Sequence, residues 1–195
     1  MNNTLTLTPE LIQEALFVFA LESEAADQFT HCNHIFTGIG KVNAAYALSK
    51  SIMLQKPKLI INLGSAGSNY FAKGDVVCCT AFIQRDMDVR GLGFALYETP
   101  LSGIAPLLEY GIQYTGLREA VCGTGDSFEM NHLDKSYTVV DMEAYALALV
   151  AMKEGIPFLC LKYISDGADG GAAEDWTVQV HLAAAKFSSL LFSKK

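Results

Sequence analysis

The amino-acid sequence predicts an α/β fold, in which short apolar strands alternate with helices. Residues 59–63 form a short apolar run, as buried parallel strands do. Residues 41–56 repeat apolar side chains close to the helical period, and Pro57 ends that pattern. Glycine-containing turns follow several of the apolar runs, which is typical of alternating strand and helix units.

The individual elements follow from these patterns in chain order. We predict strands at residues 15–20, 34–37, 59–63, 75–83, 119–122, 138–140 and 158–164. We predict helices at residues 41–56, 141–154 and 175–192, glycine turns at 64–68 and 123–126, and a loop at 85–100. Gly155 suits the C-cap of the second helix, and Pro157 follows it. Neither a linker nor a repeat interrupts the pattern, so we expect one domain over residues 1–195.

Composition excludes several classes of function. The chain has 195 residues, of which 51% are hydrophobic and 18% charged, and its net charge is −7. An acidic chain with three arginines offers no basic surface for nucleic acid. Its apolar runs fall short of the roughly 20 residues that a membrane span needs. Five cysteines without CxxC spacing favour a reducing, cytoplasmic location.

Polar side chains gather where the predicted strands end, which is where α/β sheets collect ligand sites. These candidates are Glu22, Glu24, Ser65, residues 126–128, residues 141–143, Ser165 and Asp166. Each could also be a first-turn helix acid, an N-cap or a turn residue. The glycine turns match neither dinucleotide nor P-loop fingerprints, and His31 and His34 lack partners for a metal site. We therefore expect no metal and no cofactor.

Six of these segments occur in an order that resembles a known enzyme family. The segments are ALESE (20–24), GIGKVNAA (38–45), INLGSAG (61–67), GDSF (125–128), VDMEA (140–144) and ISDGAD (164–169). Together they resemble the 5′-methylthioadenosine/S-adenosylhomocysteine nucleosidases of the purine nucleoside phosphorylase superfamily. The resemblance implies a three-layer α/β/α fold around a central mixed, partly barrel-like sheet.

The resemblance also implies catalytic roles. Glu24 matches the glutamate that orients and deprotonates the attacking water. Asp166 matches the aspartate that protonates the purine at N7, and Ser165 helps to hold the base. The chemistry independently requires an acid on the base side and a water-activating carboxylate on the opposite face of the sugar.

Five further positions match residues that bind the substrate. Glu143 matches the carboxylate that holds the ribose hydroxyls, and Met142 matches the side chain packed under the sugar. Phe128 matches the aromatic residue stacked on the base. Ser65 and Gly67 match the turn on the water and ribose side. The implied substrates are 5′-modified adenine nucleosides: 5′-methylthioadenosine, S-adenosylhomocysteine or 6-amino-6-deoxyfutalosine.

The sequence departs from the family pattern at three positions. Leu21 stands where methionine is usual, Glu129 occupies an apolar position beside the base, and Lys162 replaces an arginine. Because lysine is a point charge and not a planar fork, we expect the contact of Lys162 with the water-side carboxylate to change. These departures bear on the identity of the substrate more than on the reaction.

Two other functions compete with hydrolysis. A phosphorolytic enzyme needs a cationic phosphate pocket, and we expect Arg85, Arg90 and Arg118 to lie away from the Glu24 and Ser65 side. A catalytically silent purine-binding protein would not need acid, base and ribose carboxylate together.

The family resemblance also implies a homodimer. The loop 92–100, with Leu92, Phe94, Tyr97 and Pro100, would close the 5′ pocket of the partner. We therefore expect a small-molecule nucleoside and a second copy of the chain as partners.

Overall fold

The computed structural model describes residues 7–192, apart from the side chains of residues 177 and 178. Within that range eight strands form one sheet: β1 (Leu16–Phe19), β2 (His34–Phe36), β3 (Ile60–Gly67), β4 (Val76–Gln84), β5 (Leu108–Glu109), β6 (Glu119–Thr124), β7 (Val139–Asp141) and β8 (Phe158–Asp166). The α-helices in the same range are α1 (Pro9–Gln13), α2 (Glu22–Ala25), α3 (Lys41–Leu54), α4 (Ala144–Glu154) and α5 (Ala172–Phe192).

Five strands close into a small barrel in the order β3, β8, β4, β6, β7 and back to β3. The strands β3 and β8 are parallel to each other, as are β4, β6 and β7, and the two groups meet antiparallel. Beyond the barrel, β1 and β2 extend the sheet from β3, and β5 pairs with β4. This mixed, partly closed sheet confirms the predicted fold class.

Helices cover both faces of the sheet, and the side chains of β1 show why. Leu16 and Val18 pack into a core cluster with residues of α3 and α4. Phe17 and Phe19 point to the other face, where they join Phe187 and other side chains of α5. Successive side chains of a strand alternate between faces, so an uninterrupted apolar run supplies both cores. The predicted three-layer arrangement is confirmed.

The glycine-rich end of β3 differs from the prediction. Residues 64–67, predicted as a turn, continue the strand and pair with β8 as far as Gly67 and Asp166. The two strands approach each other closely there, as shown by the 2.5 Å that would separate a Cβ on Gly67 from Asp166 Oδ1. Tertiary pairing therefore overrides the low strand propensity of small residues.

The start of α4 also differs from the prediction. Asp141, predicted to open this helix, is the last residue of β7, and α4 begins at Ala144 with Glu143 as its N-cap. Asp141 still serves the helix, because its Oδ2 accepts a hydrogen bond from the Ala144 amide at 2.9 Å. An acid before an alanine-rich run is compatible with the end of a strand and with the start of a helix. The pairing of Asp141 with Thr124 of β6 makes it a strand residue.

Two other helices extend the prediction. The short α1 begins at Pro9, and the Thr8 hydroxyl accepts from the Leu11 amide as its N-cap. The helix α5 begins at Ala172, three residues before its predicted start. Among residues 7–192, no helix has both the length and the apolar content needed to cross a bilayer.

Candidate active site

A cavity of about 470 Å³ opens where the two halves of the barrel meet. The strands β3 and β7 pair at Gly67 and Val140, near the carboxyl end of each strand. Because these two antiparallel strands overlap only near their carboxyl ends, the segments that follow β3 and β7 begin close to each other. All eight residues proposed from the sequence line this cavity: Glu24, Ser65, Gly67, Phe128, Met142, Glu143, Ser165 and Asp166.

Glu24 lies buried at one side of the cavity and accepts four hydrogen bonds. Its Oε1 accepts from the backbone N–H of Ser65 at 2.8 Å and from the Ser65 hydroxyl at 2.9 Å. Its Oε2 accepts from the amides of Ala20 and Leu21 at 3.1 and 3.2 Å. These donors come from the end of β3 and from the turn between β1 and α2. The carboxylate is therefore held in one orientation from two directions.

Asp166 ends β8 and is also buried. Its Oδ2 accepts from the Ser165 hydroxyl at 2.8 Å, and its Oδ1 accepts from the Ala168 amide at 2.9 Å. Burial raises the pKa of Asp166, and the charges of Asp175 and Asp169 add to this against the two hydrogen bonds. The environment thus favours the protonated form that a general acid requires.

Glu143 is the third buried carboxylic acid of the cavity. Its Oε1 accepts from the Gly40 amide at 2.8 Å, which ties the start of α4 to the turn before α3. Burial raises the pKa of Glu143 to about 8, with further contributions from the charges of Asp141 and Glu24. The charge of Lys162 and the Gly40 hydrogen bond act in the opposite direction. The surroundings of Glu143 therefore favour its protonated, uncharged form.

Two apolar side chains complete the predicted set. Met142 is half-buried beside Glu143, and Phe128 is 47% exposed on the segment after β6. Both line the cavity, and the exposed ring of Phe128 leaves a face open for stacking. Ser165 is fully buried.

A buried ion pair lies beside these acids. Lys162 Nζ is 2.8 Å from Asp141 Oδ2, and both side chains are at most 2% exposed. Burial opposes the charge of Lys162, but Asp141 outweighs it and the pKa of Lys162 lies well above its usual value. Asp141 also accepts from Thr124 Oγ1 at 2.5 Å. Within residues 7–192, Lys162 thus forms its ion pair with Asp141 and not with the predicted water-side carboxylate Glu24.

Lys162→Met is expected to destabilise the protein by about 3–5 kcal/mol, because Asp141 would remain buried without its counter-charge. Urea unfolding of the two proteins measures the difference. The matched control is Lys58→Met, which removes an exposed ion pair with Glu14 and should cost less than about 1 kcal/mol. Equal losses in the two variants would contradict the structural role of the buried pair.

Arg85 is a cavity residue outside the set predicted from the sequence. The register of β4 and β6 sets Gln84 beside Thr124, so the next residue lies over the turn that follows β6. Arg85 lines the cavity there with a side chain 6% exposed. Its Nη1 donates to Ser127 Oγ at 3.1 Å and lies 3.4 Å from Glu129 Oε2. Glu129 therefore has a charge partner in the wall of the cavity.

Trp176 is a second cavity residue that the sequence analysis missed. It lies near the start of α5 and donates its indole N–H to Ser65 Oγ at 3.0 Å. One feature of the sequence could have indicated this role: Trp176 is the chain's single tryptophan and lies ten residues after Asp166. Helical periodicity alone does not separate an aromatic residue that lines a cavity from one that fills a core.

Comparison with known proteins shows the family to which the chain belongs. Residues 30–192 match the model of the phosphorylase superfamily. A 5′-methylthioadenosine/S-adenosylhomocysteine nucleosidase of Listeria monocytogenes is 36% identical over 173 residues, which span 76% of this chain and 74% of the relative. The corresponding nucleosidase of Haemophilus influenzae is 32% identical over 176 residues, spanning 80% and 76%.

Solved structures show the same fold at lower identity. The Helicobacter pylori 5′-methylthioadenosine/S-adenosylhomocysteine nucleosidase superposes with a TM-score of 0.81 at 21% identity, covering 92% of this chain and 96% of that one. The futalosine hydrolase of Helicobacter pylori gives 0.81 at 20% identity, with 93% and 97% covered. The chain therefore belongs to the phosphorylase superfamily and, within it, to the 5′-methylthioadenosine/S-adenosylhomocysteine nucleosidases, which makes it a hydrolase.

Proposed function

We propose that this nucleosidase hydrolyses the N-ribosidic bond of adenine nucleosides modified at the 5′ position, releasing free adenine and the ribosyl product. The observation that carries the proposal is the convergence of three buried carboxyl groups, Glu24, Glu143 and Asp166, on one cavity. Cleavage through an oxocarbenium-like state needs a proton for the leaving base and a water on the opposite face of the sugar.

Asp166 is the proposed general acid. Purine leaves poorly unless N7 is protonated, and the raised pKa of Asp166 keeps its proton available at higher pH than an exposed aspartate would. The Ser165 hydroxyl fixes the orientation of the acid. Phe128 stacks on the purine in this proposal, and its exposed ring lies at the same cavity.

Glu24 is the proposed base for the attacking water. Its four protein hydrogen bonds, two of them from Ser65, hold both oxygens in fixed directions, so a water at the cavity side meets a preorganised acceptor. Gly67 keeps the end of β3 close to Asp166 and lets the sugar approach the backbone. Glu143 accepts from the ribose hydroxyls and Met142 packs under the sugar.

The physiological substrate is one of three by this proposal: 5′-methylthioadenosine, S-adenosylhomocysteine or 6-amino-6-deoxyfutalosine. The curated relatives are named for the first two, and a structural neighbour is a futalosine hydrolase. The first two would place the enzyme in methionine salvage and the third in menaquinone synthesis. Specificity constants for the three substrates on the purified protein decide among them.

Phosphorolysis is the alternative reaction, and Arg85 is the residue that bears on it. Its guanidinium is engaged with Ser127 and Glu129 on the base side of the cavity. On the Glu24 side the backbone amides of Ala20, Leu21 and Ser65 already donate to the carboxylate, whose negative charge would repel a phosphate. Adenine release in phosphate-free buffer, unchanged by added phosphate, supports hydrolysis; a requirement for phosphate would refute it.

We also propose a cytoplasmic location, because four of the five thiols are buried and all five are unpaired. Burial raises the pKa of Cys78 to about 12, so its thiol stays protonated and unreactive.

We predict a homodimer in sedimentation velocity at assay concentrations. On the loop 92–100, Leu92 is 74% exposed, whereas Phe94, Tyr97 and Pro100 are half-buried. The helix α3 adds Val42 and Tyr46, which are 78% and 68% exposed and one turn apart. Exposed apolar side chains on the loop and on α3 favour burial against a partner.

Val42→Glu should shift the protein toward monomer and raise KM, if the partner closes the 5′ pocket. The control is Lys50→Glu, a charge change at an exposed position of the same helix. A monomeric wild-type protein with full activity would contradict both the dimer and the closure of the pocket.

A further inference from the structure

Besides lining the cavity, Trp176 contacts Ser65, which itself contacts the proposed base Glu24. The indole Nε1–H donates to Ser65 Oγ at 3.0 Å, and Ser65 Oγ lies 2.9 Å from Glu24 Oε1. Trp176 is the chain's single tryptophan and is half-buried near the start of α5. The three side chains form one line of hydrogen bonds from α5 to the carboxylate.

The direction of this line follows from the chemistry of its members. An indole N–H can only donate, and a serine hydroxyl has one hydrogen and two acceptor lone pairs. Since the Ser65 oxygen accepts from Trp176, its own hydrogen is free to point to Glu24 Oε1. Without the indole donor, the hydroxyl can rotate, and the Ser65 backbone amide remains as the fixed donor to that oxygen.

We propose that Trp176 is a positioning residue for hydrolysis, which acts through the Ser65 hydroxyl to hold Glu24 in the orientation that activates water. This inference rests on the proposed function, in which Glu24 is the base. The helix α5 begins six residues after Asp166, so the same segment reaches both sides of the cavity. Trp176 therefore links the position of α5 to the geometry of the base.

A purely structural role for Trp176 makes a different prediction, which α5 itself allows us to test. The hydroxyl of Tyr163 on β8 donates to Gln179 Oε1 on α5 at 2.8 Å, away from the residues that line the cavity. Tyr163→Phe thus removes one hydrogen bond that anchors the same helix, without touching Ser65. It is the matched control for Trp176→Phe, which keeps an aromatic ring and removes the N–H.

The kinetic test compares Trp176→Phe, Ser65→Ala, the double variant and Tyr163→Phe. We expect Trp176→Phe to lower kcat at least threefold with KM changed less than twofold, as loss of one orienting hydrogen bond implies. In the Ser65→Ala background the same change should alter kcat less than 1.5-fold, because the two residues act in series. A smaller loss, an equal loss in both backgrounds, or an equal loss in Tyr163→Phe would overturn the proposal.

Fluorescence tests the contact independently of turnover. Because Trp176 is the single tryptophan, Ser65→Ala should shift its emission in the ligand-free protein, whereas Tyr163→Phe should not. This measurement also decides the contact if Trp176→Phe does not fold. Unshifted emission in Ser65→Ala overturns the proposal.

Two outcomes separate the role of Trp176 from the proposed function. A wild-type protein that hydrolyses no adenine nucleoside refutes the proposed function and with it the role of Trp176. An active wild-type enzyme whose kcat is matched by Trp176→Phe overturns only the role of Trp176.

Discussion

Glu24→Gln is expected to lower kcat by about 10²–10⁴-fold, the range that loss of a general base typically causes. An amide cannot take the proton of the attacking water. The affinity for a nucleoside analogue that is not cleaved should stay within about threefold, because Glu143, Phe128 and Asp166 hold the ligand in this proposal. Adenine release and calorimetric binding of the analogue measure the two effects separately.

The surroundings of Glu24 determine which controls this experiment needs. Each oxygen accepts from two donors, so the amide nitrogen of glutamine would face N–H or O–H groups wherever it is placed. The variant should therefore also lose some stability, and its thermal midpoint must lie well above the assay temperature. Glu22→Gln, an exposed acid in the same helix, should retain kcat within twofold. Turnover of Glu24→Gln within threefold of wild type would contradict the assignment.

The strands were predictable because their apolar runs report burial directly. Residues 158–164 are apolar or small apart from Lys162, and β8 is buried along its whole length. Closure of the barrel has no such local signal. It depends on the pairing of Gly67 with Val140, two residues far apart in the chain, and on strand structure continuing through 64–67. Turn propensity at these small residues is a local preference that long-range pairing outweighs.

Lys162 shows how the site was only partly predictable. Its identity is visible in the sequence as a departure from the family pattern, but its partner Asp141 was predicted to start a helix. The pair forms because β7 and β8 both line the barrel, and no spacing in the sequence encodes that proximity. Trp176 and Arg85 were missed for the same reason. Their contacts join segments that the fold, and not the chain, brings together.

Asp166→Asn should lower kcat/KM for adenine nucleosides by at least about 10²-fold, since the amide has no proton of comparable acidity to give to N7. The neighbouring exposed acid provides the control: Asp169→Asn should stay within threefold, since it removes a nearby charge without a contact to the base. Thermal unfolding of both variants separates loss of the acid from loss of the fold. Retention of wild-type activity by Asp166→Asn would contradict its role.

The same residue should set the preference for 6-amino over 6-oxo purines. A protonated Asp166 can donate to N7 with one oxygen and accept from the exocyclic amine with the other. A 6-oxo group would instead face that oxygen as a second acceptor in a buried pocket, at a cost of about 1–3 kcal/mol, or about one to two decades in kcat/KM. Asp166→Asn should narrow this ratio, because its amide can donate to a 6-oxo group. Adenosine-type and inosine-type substrates that share one 5′ group provide the measurement, and equal specificity constants in the wild type would show that Asp166 does not read the base in this way.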